Sequence, residues 1–166
     1  MRNLAFIDGQ NLHLGTKTAG WLVNHKRFRI YLRDKYQVDE VYFFLGYVNE
    51  QHQSMYREMQ RAGYILEFRQ HVSTMQSKKK GNVDTDLVFT VIEKLIEESD
   101  LFKKVVLVSG DGDYYKLVQY LVKKERFAKL LLPHRARASS LYRSGLDNSY
   151  HVDLSAMDVR SKLEYK

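Results

Sequence analysis

Cysteine is missing from the 166-residue chain altogether. Its absence excludes disulfides, thiolate metal sites and a cysteine nucleophile, and it suits a reducing, cytoplasmic setting. Proline occurs once, at Pro133, where it stops an apolar strand pattern. No apolar run has the length of a membrane span. The first one also lacks the extended apolar region of a signal peptide, and the basic stretch from Lys26 to Arg29 soon interrupts the chain after it. Nothing resembles a Walker loop, which argues against an NTPase. What is present is ample apolar material, 44% of the residues, which fits one core in one domain over residues 1–166. The net charge of +7 and a pI near 9.5 favour polyanions such as nucleic acid.

Short apolar runs alternate with helical patterns along the chain. Residues 3–7, 40–47, 64–69, 104–108 and 128–132 read as strands, because they are brief, branched or aromatic, and bounded by polar or glycine residues. Residues 150–154 offer a last short strand. Between the strands, residues 11–19, 26–36, 49–62, 84–98 and 113–124 carry helical spacing, clearest in Leu87, Val88, Val91, Ile92, Leu95 and Ile96. Asn49 is placed to cap its helix and Gly63 to end it. The class is therefore α/β with a mainly parallel sheet of about five strands. Ligands in such sheets bind beyond the strand carboxyl ends, where the strand order reverses. Strand order 3-2-1-4-5 would bring Asp8 and Asp111 face to face across that crevice.

Taken singly, Asp8, Asp84, Asp111 and Asp113 are ordinary helix-start acids. Taken together they are harder to dismiss. The turn Ser109-Gly110-Asp111-Gly112-Asp113 supplies two acids where one cap suffices. Asp113 and Asp84 each precede an inward apolar residue by one helical turn, Leu117 and Val88, whereas Asp86 lies about 200° away from Asp84 at 100° per residue. Converging carboxylates repel unless some are protonated or a cation joins them. Hard oxygen donors suit Mg²⁺ or Mn²⁺. Asn11 can hold a water or phosphate oxygen through its amide. Such a site fits metal-assisted phosphodiester hydrolysis. Three basic groups suggest a backbone-binding groove beside it: Lys78, Lys79 and Lys80; Lys123, Lys124 and Arg126; and His134, Arg135 and Arg137. Tyr114 has the spacing of a core residue, with base stacking as a second role.

At these residues the chain resembles the NYN family of PIN-like nucleases, in its LabA-like branch. The resemblance rests on Phe6-Ile7-Asp8-Gly9-Gln10-Asn11-Leu12, on Lys80-Gly81-Asn82-Val83-Asp84-Thr85-Asp86-Leu87, and on Val108-Ser109-Gly110-Asp111-Gly112-Asp113-Tyr114. It spans residues 1–135, and the extension from 139 to 166 carries no motif. It implies a PIN-like three-layer sandwich with sheet order 3-2-1-4-5. It also implies a Mg²⁺- or Mn²⁺-dependent RNA endonuclease, acting on single-stranded or structured RNA. The family's acidic positions fall on Asp8, Asp84, Asp111 and Asp113, with the amide at Asn11. Many relatives carry a further acid where this chain has Thr90, so either Asp86 substitutes as a ligand or one metal binds weakly; a second metal stays open, as does a homodimer. Two other readings remain. One is a catalytically silent RNA-binding scaffold of the same fold. The other is a haloacid-dehalogenase-like phosphatase, which Gln10 disfavours by standing where that chemistry needs a second acid.

Overall fold

The computed structural model describes residues 1–69 and 83–166. Lys78, Lys79, Lys80, Gly81 and Asn82 lie outside the described residues. Six strands form one sheet: β1 (Asn3–Asp8), β2 (Val38–Leu45), β3 (Tyr64–Phe68), β4 (Val105–Val108), β5 (Phe127–Leu132) and β6 (His151–Asp153). Their order is β3-β2-β1-β4-β5-β6 and every neighbouring pair is parallel. The first five stand in the expected order. The strand count of about five is corrected to six, because residues 151–153 dock on the free edge of β5, with His151 opposite Leu130 and Asp153 opposite Leu132.

Side chains alternate across the sheet, so each strand feeds two cores. Leu4, Phe6, Leu107 and Leu130 point to one face, where they meet α4 (Asp84–Glu97), α5 (Tyr115–Lys123) and α6 (Ser140–Gly145). Ala5, Ile7, Val106 and Leu131 point to the other, under α1 (Gly9–Thr18), α2 (His25–Tyr36), α3 (Gln53–Ala62) and α7 (Met157–Leu163). Helix, sheet and helix make the three-layer sandwich. The central strands β1 and β4 are buried on both faces, which is why they read as unbroken apolar runs.

Local signals set the element ends. Asn49 caps a short 3-10 turn, Glu50–His52, before α3, and Gly63 ends α3 with φ 95°. The C-terminal residues are built into the fold. The Trp21 indole N–H donates to Ser155 Oγ at 2.9 Å, the Asn24 N–H donates to the Leu163 carbonyl at 2.8 Å, and Leu154 and Leu163 are fully buried.

Candidate metal centre

β1 and β4 are neighbours whose onward chains leave to opposite faces of the sheet, so their carboxyl ends frame a crevice. Asp8 ends β1. It follows Ile7 and so shares the face of Phe6, the side covered by α4 and α5. Its backbone is extended, and its Oδ1 accepts from the Asn11 N–H at 3.1 Å, capping α1. Only glycine fits next, because a Cβ at Gly9 would sit 2.5 Å from the Phe43 ring and 2.7 Å from the Phe44 carbonyl. Asp84 opens α4 from above. Asp111 follows β4 and accepts from the Asp113 N–H at 2.9 Å, capping a 3-10 turn over Gly112–Tyr114.

These three carboxylates meet. One oxygen from each of Asp8, Asp84 and Asp111 lies within 4.8 Å of the other two. Asp8 is 3% exposed, and the others are half-buried. Magnesium–oxygen bonds of about 2.1 Å place opposite ligands about 4.2 Å apart. All three donors are hard carboxylate oxygens, which fit a hard divalent cation.

The charges strain against one another. Burial raises Asp8 above the usual carboxylate range, with Asp111 adding repulsion, against the lowering effect of the Asn11 N–H and the Tyr114 hydroxyl. Asp84 is pushed up to about 6, first by burial and then by Asp113, Asp111 and Asp8. Tyr114 is fully buried, as its spacing suggests, but its hydroxyl does more than pack. It lies 3.0 Å from Asp8 Oδ2 and 2.7 Å from Asp84 Oδ1, tying β1 to α4.

Asp113 is exposed and stands outside the triad, although its carboxyl is close enough to Asp84 to raise it. Asp86 is exposed and also outside it, and its carbonyl accepts from the Thr90 hydroxyl at 2.8 Å within α4. The Asn11 side chain takes a structural part: its Oδ1 accepts from the Gly110 N–H at 2.8 Å, joining the β1 turn to the β4 turn.

The basic residues divide. His134, Arg135 and Arg137 follow β5 at the same edge as the acids, and His134 and Arg137 line a notch of about 140 Å³ with Asn11 and Gly110. Lys123, Lys124 and Arg126 are not brought to the site. Helix α5 runs antiparallel to the strands, so its end and the start of β5 lie at the opposite edge of the sheet. There Arg126 is committed to structure. It donates to Ser99 Oγ at 2.9 Å and to the Ser99 and Phe102 carbonyls at 3.1 Å, and stacks over the Phe102 ring.

Two supports escape the sequence. The Tyr142 hydroxyl donates to the Asp111 carbonyl at 2.5 Å, and the Ser139 N–H donates to the Gly110 carbonyl at 2.9 Å. Both come from the C-terminal stretch that carries no motif. Ser109, fully buried, accepts from the Asp111 N–H at 3.1 Å.

A model of the NYN domain matches residues 3–151. The chain belongs to the NYN domain family. NYN is a PIN-like nuclease family, so membership makes nucleic acid the expected substrate class, and the acid triad could bind a metal ion. Among curated relatives, the Low amplitude and bright protein LabA of Synechococcus elongatus is 26% identical over 168 residues, covering 96% of this NYN chain and 86% of that one. A crystal structure of a protein of unknown function from Vibrio parahaemolyticus superimposes with a TM-score of 0.70. It covers 92% of both chains at 19% identity, a likeness of fold alone. Among the described residues no helix is long and apolar enough to cross a membrane.

Proposed function

We propose that this NYN protein is a metal-dependent ribonuclease that hydrolyses RNA phosphodiester bonds. The observation that carries this reading is the approach of Asp8, Asp84 and Asp111, from three separate elements, to within 4.8 Å. Burying like charges together is unfavourable unless a cation or protons compensate. Asp8, Asp84 and Asp111 would hold one Mg²⁺ or Mn²⁺. The chemistry such an ion supplies is a more acidic water and neutralisation of phosphate charge.

The protein's own groups do the rest. Asp8 and Asp111 keep their orientation because each spends one oxygen on a backbone N–H. Tyr114 fixes Asp8 and Asp84 relative to each other. Asn11 commits its oxygen to Gly110, which leaves its amide N–H groups to donate to a phosphate oxygen or water. Asp113, exposed beside Asp84, is placed to accept a proton or orient a water. His134, Arg135 and Arg137 supply positive charge along the strand edge for the RNA backbone. Lys78, Lys79 and Lys80 enter the proposal from sequence alone.

The silent-scaffold reading draws on Thr90, whose hydroxyl is turned back to Asp86 and offers no carboxylate for a second ion. One assay separates the two. Single-stranded and structured RNA are incubated with Mn²⁺ or with EDTA, using the wild type and Asp111→Asn. Asparagine keeps the capping acceptor but loses the charge. Cleavage by the wild type in Mn²⁺ only, absent from the variant, is the expected result. Cleavage that survives both EDTA and Asp111→Asn would overturn the metal–carboxylate reading. RNA binding without cleavage under any metal would favour the scaffold.

A further inference from the structure

A second opening lies beside the metal centre, on the other side of β1. It is a cavity of about 840 Å³ between α1, the end of β2 and α3. Its wall includes Gly9 and Gln10, the two residues that follow Asp8, so it opens at the same carboxyl edge of the sheet, under the face opposite the one Asp8 shares with Phe6. We propose that this cavity receives an unstacked base of the RNA strand next to the phosphate held at the acids. The inference rests on the ribonuclease reading and extends it by a base-binding subsite.

Four observations carry it. The first is size: ligand cavities commonly span about 300–1,000 Å³, and this one holds a base with its sugar. The second is the lining. Phe43, Leu45, Met55 and Met59 make an apolar floor, and Gln10 and Asn49 bring a few polar groups of the kind that read a base edge. The third is the rim. Leu22, Tyr47, Val48 and Tyr165 surround the opening with 51%, 39%, 54% and 61% of their surfaces exposed. Large apolar and aromatic groups gathered at one mouth call for a flat, apolar-faced partner.

The fourth is charge, which decides between base and phosphate. Among the described residues no lysine or arginine lines the cavity, whose carboxylate and imidazole side chains there are Glu50 and the histidines His13, His25 and His52. A phosphate is unwelcome there. On the far side of the acids the notch beside Asn11 and Gly110 carries Arg137 and His134. The carboxyl edge thus presents, in order, a largely apolar cavity with an aromatic rim, an acid cluster and a basic notch. An RNA strand laid along it puts a base in the first, the scissile phosphate at the second and a flanking phosphate at the third.

The test is an abasic scan of binding. A single-stranded oligoribonucleotide is made with one base removed at each position in turn, and affinity is measured by fluorescence anisotropy in EDTA, where hydrolysis does not intervene. For the wild type, base removal at one position, or two adjacent ones, weakens binding by about tenfold. Gly46→Phe is the blocking variant. Gly46 lines the cavity, and a Cβ there meets nothing within 4 Å. Its affinity for intact RNA falls by about tenfold and its scan is flat. Tyr47→Ala removes a rim aromatic and gives a smaller loss at the same position. It decides the matter should the blocked variant fail to fold. A flat scan in the wild type, an undiminished scan in both variants, or no RNA binding at all overturns the subsite. An intact scan with no Mn²⁺-dependent cleavage overturns the ribonuclease reading and leaves the base site standing.

Discussion

The Tyr114 hydroxyl lies 2.7 Å from Asp84 Oδ1, closer than its 3.0 Å approach to Asp8 Oδ2. A phenol has one proton to give, so it satisfies one carboxylate at a time. Burial pushes Asp84 up to about 6, and the Tyr114 hydrogen bond works against that rise. Tyr114→Phe keeps the buried ring and removes the tie. Losing such an outer partner typically weakens metal binding by about tenfold or more. Calorimetric titration with Mn²⁺ should show that loss, while melting shows a stability change of only about 1 kcal/mol. Unchanged Mn²⁺ affinity would show that the hydroxyl does not position the ligands.

The raised acids also set a pH dependence. Asp84 holds its proton up to about 6 in the folded protein, against 3.8 ordinarily, and Asp8 is shifted in the same direction. Between those values the folded state carries more protons than the unfolded chain, so stability falls as pH rises through the window and is greatest below it. The melting temperature of the metal-free protein should drop from about pH 4 to about pH 7 relative to Asp84→Asn, in which that dependence is reduced. Added Mn²⁺ should restore more at the higher pH, since metal competes with protons for the same oxygens. Equal pH slopes for wild type and Asp84→Asn would contradict the shift.

Asn11 makes a different prediction. Its Oδ1 is the acceptor for the buried Gly110 N–H. Asn11→Ala leaves that donor unpaired and should cost about 1–3 kcal/mol in denaturant unfolding. Asn11→Asp keeps an acceptor but adds a charge beside the triad, so its stability should recover on adding Mn²⁺, which the alanine variant cannot do. Failure of metal to distinguish the two would mean that Asn11 does not border the ion.

The two arginine groups should behave oppositely. Arg126→Ala removes three hydrogen bonds from a charged group at the far edge of the sheet. It should lower stability by about 2–3 kcal/mol without changing RNA affinity. Arg137→Ala should leave the melt unchanged, weaken RNA binding and reduce the salt slope by roughly one. A weaker RNA affinity for a folded Arg126→Ala would return that residue to the groove.

How much of this can be read in advance depends on the range of the signal. The strands of the central sheet are legible because a strand buried on both faces must be apolar throughout, as Phe6, Ile7 and Val105 to Val108 are. Asp8 and Asp111 are legible because they end such runs at turns. Asp113 sits where the chain enters a 3-10 turn, with about 120° per residue, so its side chain is exposed beside Asp84 and not buried with Leu117. Lys123, Lys124 and Arg126 follow an acid-capped helix in the sequence, but the direction of that helix carries them away from the acids. Tyr114 and Tyr142 act through hydroxyls that reach residues 106, 30 and 31 positions away, and no spacing rule announces such pairs. β6 reads in the sequence as a last short strand over 150–154, but with three residues it carries too little pattern to show that it extends the sheet.

The Tyr142 clamp separates possession of the acids from possession of the site. All the acids are in place by Asp113, yet the carbonyl of Asp111 takes its shorter hydrogen bond, beside a 3.4 Å one from the Tyr114 N–H, from a residue made later, within the stretch that carries no recognisable motif. A chain ending before Tyr142 would keep every acid of the constellation and lack the brace on the turn that bears two of them. For this protein, then, an inventory of acidic motifs leaves out part of what holds the acids, and a truncation that removes none of them still reaches the centre.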